Sequence, residues 1–131
     1  MGSGDSLYPL DWRATASKDW RRLGVMLGEN DAEAAAFFLQ QCLEKYLKSY
    51  LLSKGWALRK IHQLDALLDD AVRFDRSLET YRSLCERVAA YYFAGRYPQL
   101  QATGLTPPDV EADREEARRF ITALFPDEQL P

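Results

Sequence analysis

Residues 35–51 constrain the fold most tightly: Ala35, Phe38, Leu39, Cys42, Leu43, Tyr46, Leu47, Tyr50 and Leu51 recur at three- and four-residue spacing. That spacing is the mark of a helix with one broad apolar face. The other side carries Gln40, Gln41, Glu44, Lys45 and Lys48, so the segment predicts a core helix that presents a polar, partly basic stripe to solvent.

The rest of the chain repeats the pattern. Ala16, Trp20, Leu23 and Leu27 predict a first helix over 12–27, with Gly28 just past its end as a C-cap. Asn30 is placed to cap the second helix, with Glu33 three residues on, and that helix runs to about Lys54 before Gly55. After a short connection, Leu64, Leu67, Leu68, Ala71 and Val72 mark a third helix, with Asp65, Asp69 and Asp70 facing away. Leu78, Tyr81, Leu84, Cys85, Val88 and Tyr92 mark a fourth, expected to fray near Gly95 and to end by Pro98, since proline cannot continue the hydrogen-bond ladder. Residues 99–104 then read as a loop. Thr106, Pro107 and Asp109 fit N-cap, first-turn proline and N3 acid, and Val110, Ala117, Phe120, Ile121 and Leu124 carry a fifth helix to a stop before Pro126. No segment alternates with a period of two. Amphipathic helices joined by short connections bury their stripes against one another, so the predicted class is all-α, an up-and-down helical bundle of about five helices.

With 131 residues the chain is one domain by size. Gly2, Ser3 and Gly4 read as a tag remnant, so 1–6 is expected to be a disordered start, 7–126 a single helical domain and 127–131 a loose tail. The net charge of −3 gives no general field to attract nucleic acid, and any phosphate binding must come from a local basic patch. Cys42 and Cys85 fall at apolar helical positions, which suits buried, reduced thiols. The longest apolar run, 34–39, is far too short to cross a bilayer; a cytoplasmic protein with no membrane association is expected.

Few residues offer chemistry. Tyr91, Tyr92, Phe93 and Tyr97 surround Arg96 at a helix end. A guanidinium with aromatic neighbours can hold phosphate oxygens while a ring stacks on a base; alternatively, Tyr92 and Phe93 belong to the core and Arg96 pairs with the last carbonyls of its own helix. Gln41, Lys45 and Lys48 share one side of the second helix, lining a groove toward an anionic ligand or forming an ordinary solvated face. His62, the only histidine, opens the third helix, where its ring can cap or bind a neighbouring loop. The pairs Asp69–Asp70 and Glu115–Glu116 point about 100° apart on their helices and read as solvated faces. Arg13, Arg21 and Arg22, interspersed with Asp11 and Asp19, suggest no role. The sequence contains no glycine-rich phosphate loop, metal-ligand pair or nucleophile elbow, so no catalytic residue, metal or cofactor is expected.

Gln40-Gln41-Cys42-Leu43-Glu44-Lys45-Tyr46-Leu47-Lys48-Ser49-Tyr50-Leu51, then Lys60-Ile61-His62-Gln63-Leu64, then Gly95-Arg96-Tyr97-Pro98, in that order, resemble the prokaryotic HEPN domain family. The similarity is greatest to small stand-alone bacterial members encoded beside a minimal nucleotidyltransferase. The resemblance implies an all-α homodimer with a groove between protomers that binds nucleotide or RNA, a nucleotidyltransferase partner in a toxin–antitoxin pair, and, in many members, a metal-independent ribonuclease. The ribonuclease members have an arginine followed four to six residues later by a histidine. Here no histidine follows Arg96, and His62 lies three positions after Arg59. The resemblance therefore implies a noncatalytic binding module using Arg96 and Tyr97, with Gln41, Lys45, Lys48 and His62. The alternatives are a ribonuclease with a nonstandard site, in which His62 or Tyr97 replaces the absent histidine, and a structural protein-interaction module. Gln63 stands where the family often has an acid, so a carboxylate-oriented imidazole is not expected at His62.

Overall fold

The computed structural model describes residues 6–96 and 104–131, apart from the side chains of 92–96. It contains α1 (Pro9–Gly28), α2 (Ala32–Ser53), α3 (Leu64–Val72), a 3-10 turn (Arg76–Tyr81), α4 (Arg82–Arg96) and α5 (Pro107–Leu124). The expected all-α bundle is observed, and no strand occurs among the described residues.

Helix α2 is the centre of the bundle, packing against each of the other four helices and most extensively against α1. The predicted apolar stripe accounts for this: Ala35, Leu39, Cys42, Leu43, Tyr46, Leu47 and Leu51 are fully buried. Neighbouring helices close over them with Trp20 and Leu23 from α1, Leu64, Leu67 and Leu68 from α3, Leu84 and Val88 from α4, and Phe120 and Ile121 from α5. The same central position overturns the expectation of a solvated polar stripe. Gln40, Glu44 and Lys48 are buried as well, since a helix surrounded on several sides has no wide face left for water.

The connections follow from local chemistry, with one shift from the predicted register. Gly28 is the last residue of α1 rather than its cap, and the left-handed position falls to Asn30, at φ 61°. The amide of Asp31 bonds to Met26 O and that of Asn30 to Leu27 O, a Schellman ending. Asn30 is therefore not the cap of α2; Asp31 is, accepting from the Ala34 amide at 3.0 Å. Gly55, at φ 87°, ends α2 with the same geometry, through Trp56 N to Leu51 O and Gly55 N to Leu52 O. Thr106 and Asp109 form the predicted capping box of α5. The fourth helical segment opens with the 3-10 turn, capped by Asp75, and becomes α-helical only at Arg82.

Two further expectations are corrected. Residues 127–131 are held, not loose: Glu128 accepts from Arg13 and Tyr46, and the Leu130 and Pro131 carbonyls accept from side chains of α1 and α5. Asp70 is buried rather than facing away with Asp69, since its carboxylate accepts from the Trp56 indole at 2.9 Å. Within the start expected to be disordered, residues 1–5 lie outside the described residues, while Ser6 bonds to Asp11 and Trp12.

Candidate functional site

The buried polar residues of α2 converge on one carboxylate. Gln40, Glu44 and Lys48 are spaced four apart and so lie along one side of the helix. Glu44 Oε1 accepts from Gln40 Nε2 at 3.3 Å, while Oε2 accepts from Lys48 Nζ at 3.0 Å and lies 2.9 Å from His62 Nδ1. Gln41 extends the chain by donating to Gln40 Oε1 at 2.7 Å. The Lys48 ammonium also lies 5.0 Å from the centroid of the Trp12 ring at the start of α1, a cation–π contact. Ser49 fastens the same region by donating to Pro9 O. Each buried charge thus has partners, as burial of an ion pair requires.

His62 reaches Glu44 because the α2–α3 connection is pinned at both ends. Trp56 donates to Asp70 at one end and His62 meets Glu44 at the other. A carboxylate only accepts, so Nδ1 donates to Glu44, and Nε2 is the ring nitrogen turned away from that bond. With 68% of its side chain exposed, the ring presents an oriented imidazole at the surface, backed by a buried carboxylate and ammonium. This corrects the expectation drawn from Gln63: the orienting carboxylate comes from α2, eighteen positions earlier in the chain.

The remaining predicted site residues are not brought together by the described structure. Lys45 turns to α1, donating to the buried Asp19 at 2.6 Å, where Arg22 also pairs. Lys45 and Lys48 therefore serve two different acids rather than one groove. Arg96 is the last residue of α4, but its side chain and all of Tyr97 lie outside the described residues, as do most of the loop expected at 99–104 and the side chains of Tyr92 and Phe93. Sequence reading missed Glu44 as the hub. A signal was nevertheless present: from Lys45 to Leu64 there is no acid, while Lys45, Lys48, Lys54, Arg59, Lys60 and His62 all fall there. Lys54, Arg59, Lys60 and His62 are exposed, which makes the α2–α3 connection a local basic surface on an acidic chain.

Residues 10–125 match the family model of the HEPN domain. The chain belongs to the HEPN domain family. No curated protein and no solved structure matches it. A HEPN domain is consistent with a nucleotide- or RNA-related module or with a ribonuclease-type toxin.

Elsewhere in this HEPN domain, a cleft of about 600 Å³ opens between α4 and the start of α5, lined by Arg87, Ala90, Tyr91, Leu105, Pro108 and Asp113 among others. Its polar residues are mutually engaged. Arg87 donates twice to Asp113 at 3.1 Å and once to Glu116, and Tyr91 donates to the other oxygen of Asp113. Burial, then this bond, pushes the Tyr91 phenol well above its usual range. Cys42 and Cys85 are both free and buried. Burial pushes the Cys85 thiol up to about 12 and raises Cys42 as well, so neither is a thiolate at neutral pH. Among the described residues no group of His, Cys, Asp and Glu could hold a metal ion, and no helix is long and apolar enough to cross a membrane.

Proposed function

We propose that this HEPN domain is a noncatalytic homodimeric module of the stand-alone, nucleotidyltransferase-associated type, which binds a nucleotide, RNA or a nucleotidyltransferase partner within a toxin–antitoxin pair. The observation that carries the reading is His62, held outward by buried Glu44 at the end of a connection that bears Lys54, Arg59 and Lys60 and no acid. A fixed imidazole among cations favours a phosphate-bearing ligand, and the neighbouring ammonium groups add attraction at long range. Arg96 and Tyr97 remain ligand contacts in this proposal, while Gln41 and Lys48 support His62 indirectly from α2, through Gln40 and Glu44.

Calorimetry with nucleotides and short single-stranded RNA tests the reading, comparing wild type with His62→Ala and Arg96→Ala. Loss of one charge-assisted contact should weaken binding about tenfold in each variant. Affinity unchanged by both substitutions would remove the proposed site.

The Glu44–His62 pair also favours a second reading, a metal-independent ribonuclease with a nonstandard site. An imidazole oriented by a carboxylate is a competent general base toward a ribose 2′-hydroxyl, and a dimer would supply two such rings. RNA incubated with the protein and a chelator decides between the readings: intact RNA supports the binding module, whereas cleavage that disappears in His62→Ala establishes the ribonuclease.

A further inference from the structure

The first turn of α1 keeps large side chains in water although its backbone is pinned. Leu7, Tyr8 and Leu10 are 68, 71 and 74% exposed. Chain ends of this kind are ordinarily loose unless tied down. Here Ser6 Oγ accepts from the Tyr8 amide at 3.0 Å and donates to Asp11 at 2.7 Å, and Ser6 O accepts from the Trp12 indole at 2.7 Å. Pro9 O accepts from Ser49 of α2 at 2.8 Å, which ties the turn to the bundle. The fold therefore fixes these side chains without burying them, and a cluster of large apolar groups held at the surface marks a place of contact.

The pinning also sets where the cluster lies. Trp12 follows the N-cap residue Tyr8 by one turn, and the Lys48 ammonium sits 5.0 Å from its ring centroid. Lys48 in turn shares Glu44 Oε2 with His62, at 3.0 and 2.9 Å. Trp12 and His62 thus touch one buried ion pair, the indole through its ammonium and the imidazole through its carboxylate. A single surface brings aromatic side chains of α1 beside the imidazole and cations of the α2–α3 connection. Single-stranded nucleic acid is held by this combination, with cations along the phosphates and rings stacked on the bases. An acidic peptide would match the charge, but apolar anchors of protein partners fill desolvated pockets. A phenol standing 71% exposed offers a face and no pocket, which favours a base.

We propose that Tyr8 and Trp12 are the base-stacking residues of a single-stranded RNA site whose phosphate side is His62. The inference rests on the reading of His62 given above and narrows it, since the ligand becomes a strand with bases and α1 becomes part of its surface. Four helical residues advance about 6 Å, a step that successive nucleotides of an extended strand can span, so each ring takes one base.

Calorimetry on the full chain tests this by comparing a short oligoadenylate with an abasic ribose–phosphate strand of the same length. Tyr8→Ala should weaken oligoadenylate binding about tenfold and leave the abasic strand unaffected, Tyr8→Phe should restore it by keeping the ring face, and His62→Ala should weaken both strands. Quenching of tryptophan emission by oligoadenylate should be largely lost in Trp12→Phe. Oligoadenylate binding that falls with His62→Ala but not with Tyr8→Ala, or quenching that persists in Trp12→Phe, would overturn this inference and leave the His62 site standing. Wild type that binds neither strand would overturn the inference and the nucleic-acid reading with it. An oligoglutamate of equal charge that binds as tightly as oligoadenylate, and loses affinity in Tyr8→Ala, would give the rings to a protein partner and likewise overturn it.

Discussion

Glu44 shows how a single side chain changes meaning with its surroundings. Read from spacing, it is the acid of an i, i+4 pair with Lys48 on the solvated side of a core helix, an interaction of a few tenths of a kcal/mol. In the bundle the two side chains are only 9% and 4% exposed, and Glu44 also orients His62. Removing one partner of a buried pair leaves the other charge without compensation. Glu44→Ala should therefore lower stability by about 3 kcal/mol, measured by urea denaturation, whereas His62→Ala, which removes a mostly exposed ring, should change it by less than about 1 kcal/mol. Equal and small losses for both would show that Lys48 finds water without its acid. The position of Glu44 on α2 was legible; its burial was not, because burial depends on α1 and the α2–α3 connection arriving from elsewhere in the chain.

At the level of elements, the helix ends were set by local rules, and those ends that follow the rules most directly were the most legible. Thr106, Pro107 and Asp109 specify the start of α5 through their own hydrogen bonds, and Gly55 ends α2 at the one backbone position where a positive φ is needed. The α1–α2 turn was misread because glycine at 28 is the residue usually expected near a left-handed cap, while asparagine also tolerates that conformation. The turn predicts its own test. Asn30→Ala, at φ 61°, should destabilise by about 1 kcal/mol, and Asn30→Gly should be neutral or stabilising, as thermal unfolding would read. A loss on Asn30→Gly would mean that the asparagine side chain, not the backbone angle, holds the turn.

For the whole molecule, the pH dependence of stability follows from carboxylates fixed by hydrogen bonds. The Thr106 hydroxyl holds Asp109 below its ordinary value of 3.8, Ser77 does the same for Asp75, and Arg82 and Arg118 hold Glu79 and Glu115 below 4.5. Each has a folded pKa below its unfolded one, so its contribution is present above the unfolded value and is lost as pH falls through the folded one. Melting temperature should accordingly fall as pH drops below about 4.5, and the decline should be shallower in Asp109→Asn. On the alkaline side the signs reverse. Cys85, raised to about 12 by burial, favours the folded state below its unfolded value near 9.0, and that support is lost as pH rises toward 12. A melting curve that is flat through the acid range would remove the fixed carboxylates from the account.

By itself the sequence determined the number and order of the helices, the apolar face of α2 and the caps at Gly55 and Thr106, since all of these depend on neighbours within a turn or two. Only the tertiary structure decided that α2 is central, and with that decision the polar stripe became a buried network, Lys45 went to Asp19, and His62 acquired Glu44. The same holds for residues 127–131, expected to be loose, whose partners, Arg13, Trp20, Tyr46, Arg114 and Arg118, lie on three different helices. Hydrophobic periodicity reports which residues turn inward on one element; it carries no information about which polar groups a second element will cover, and in this bundle those groups are Gln40, Glu44 and Lys48.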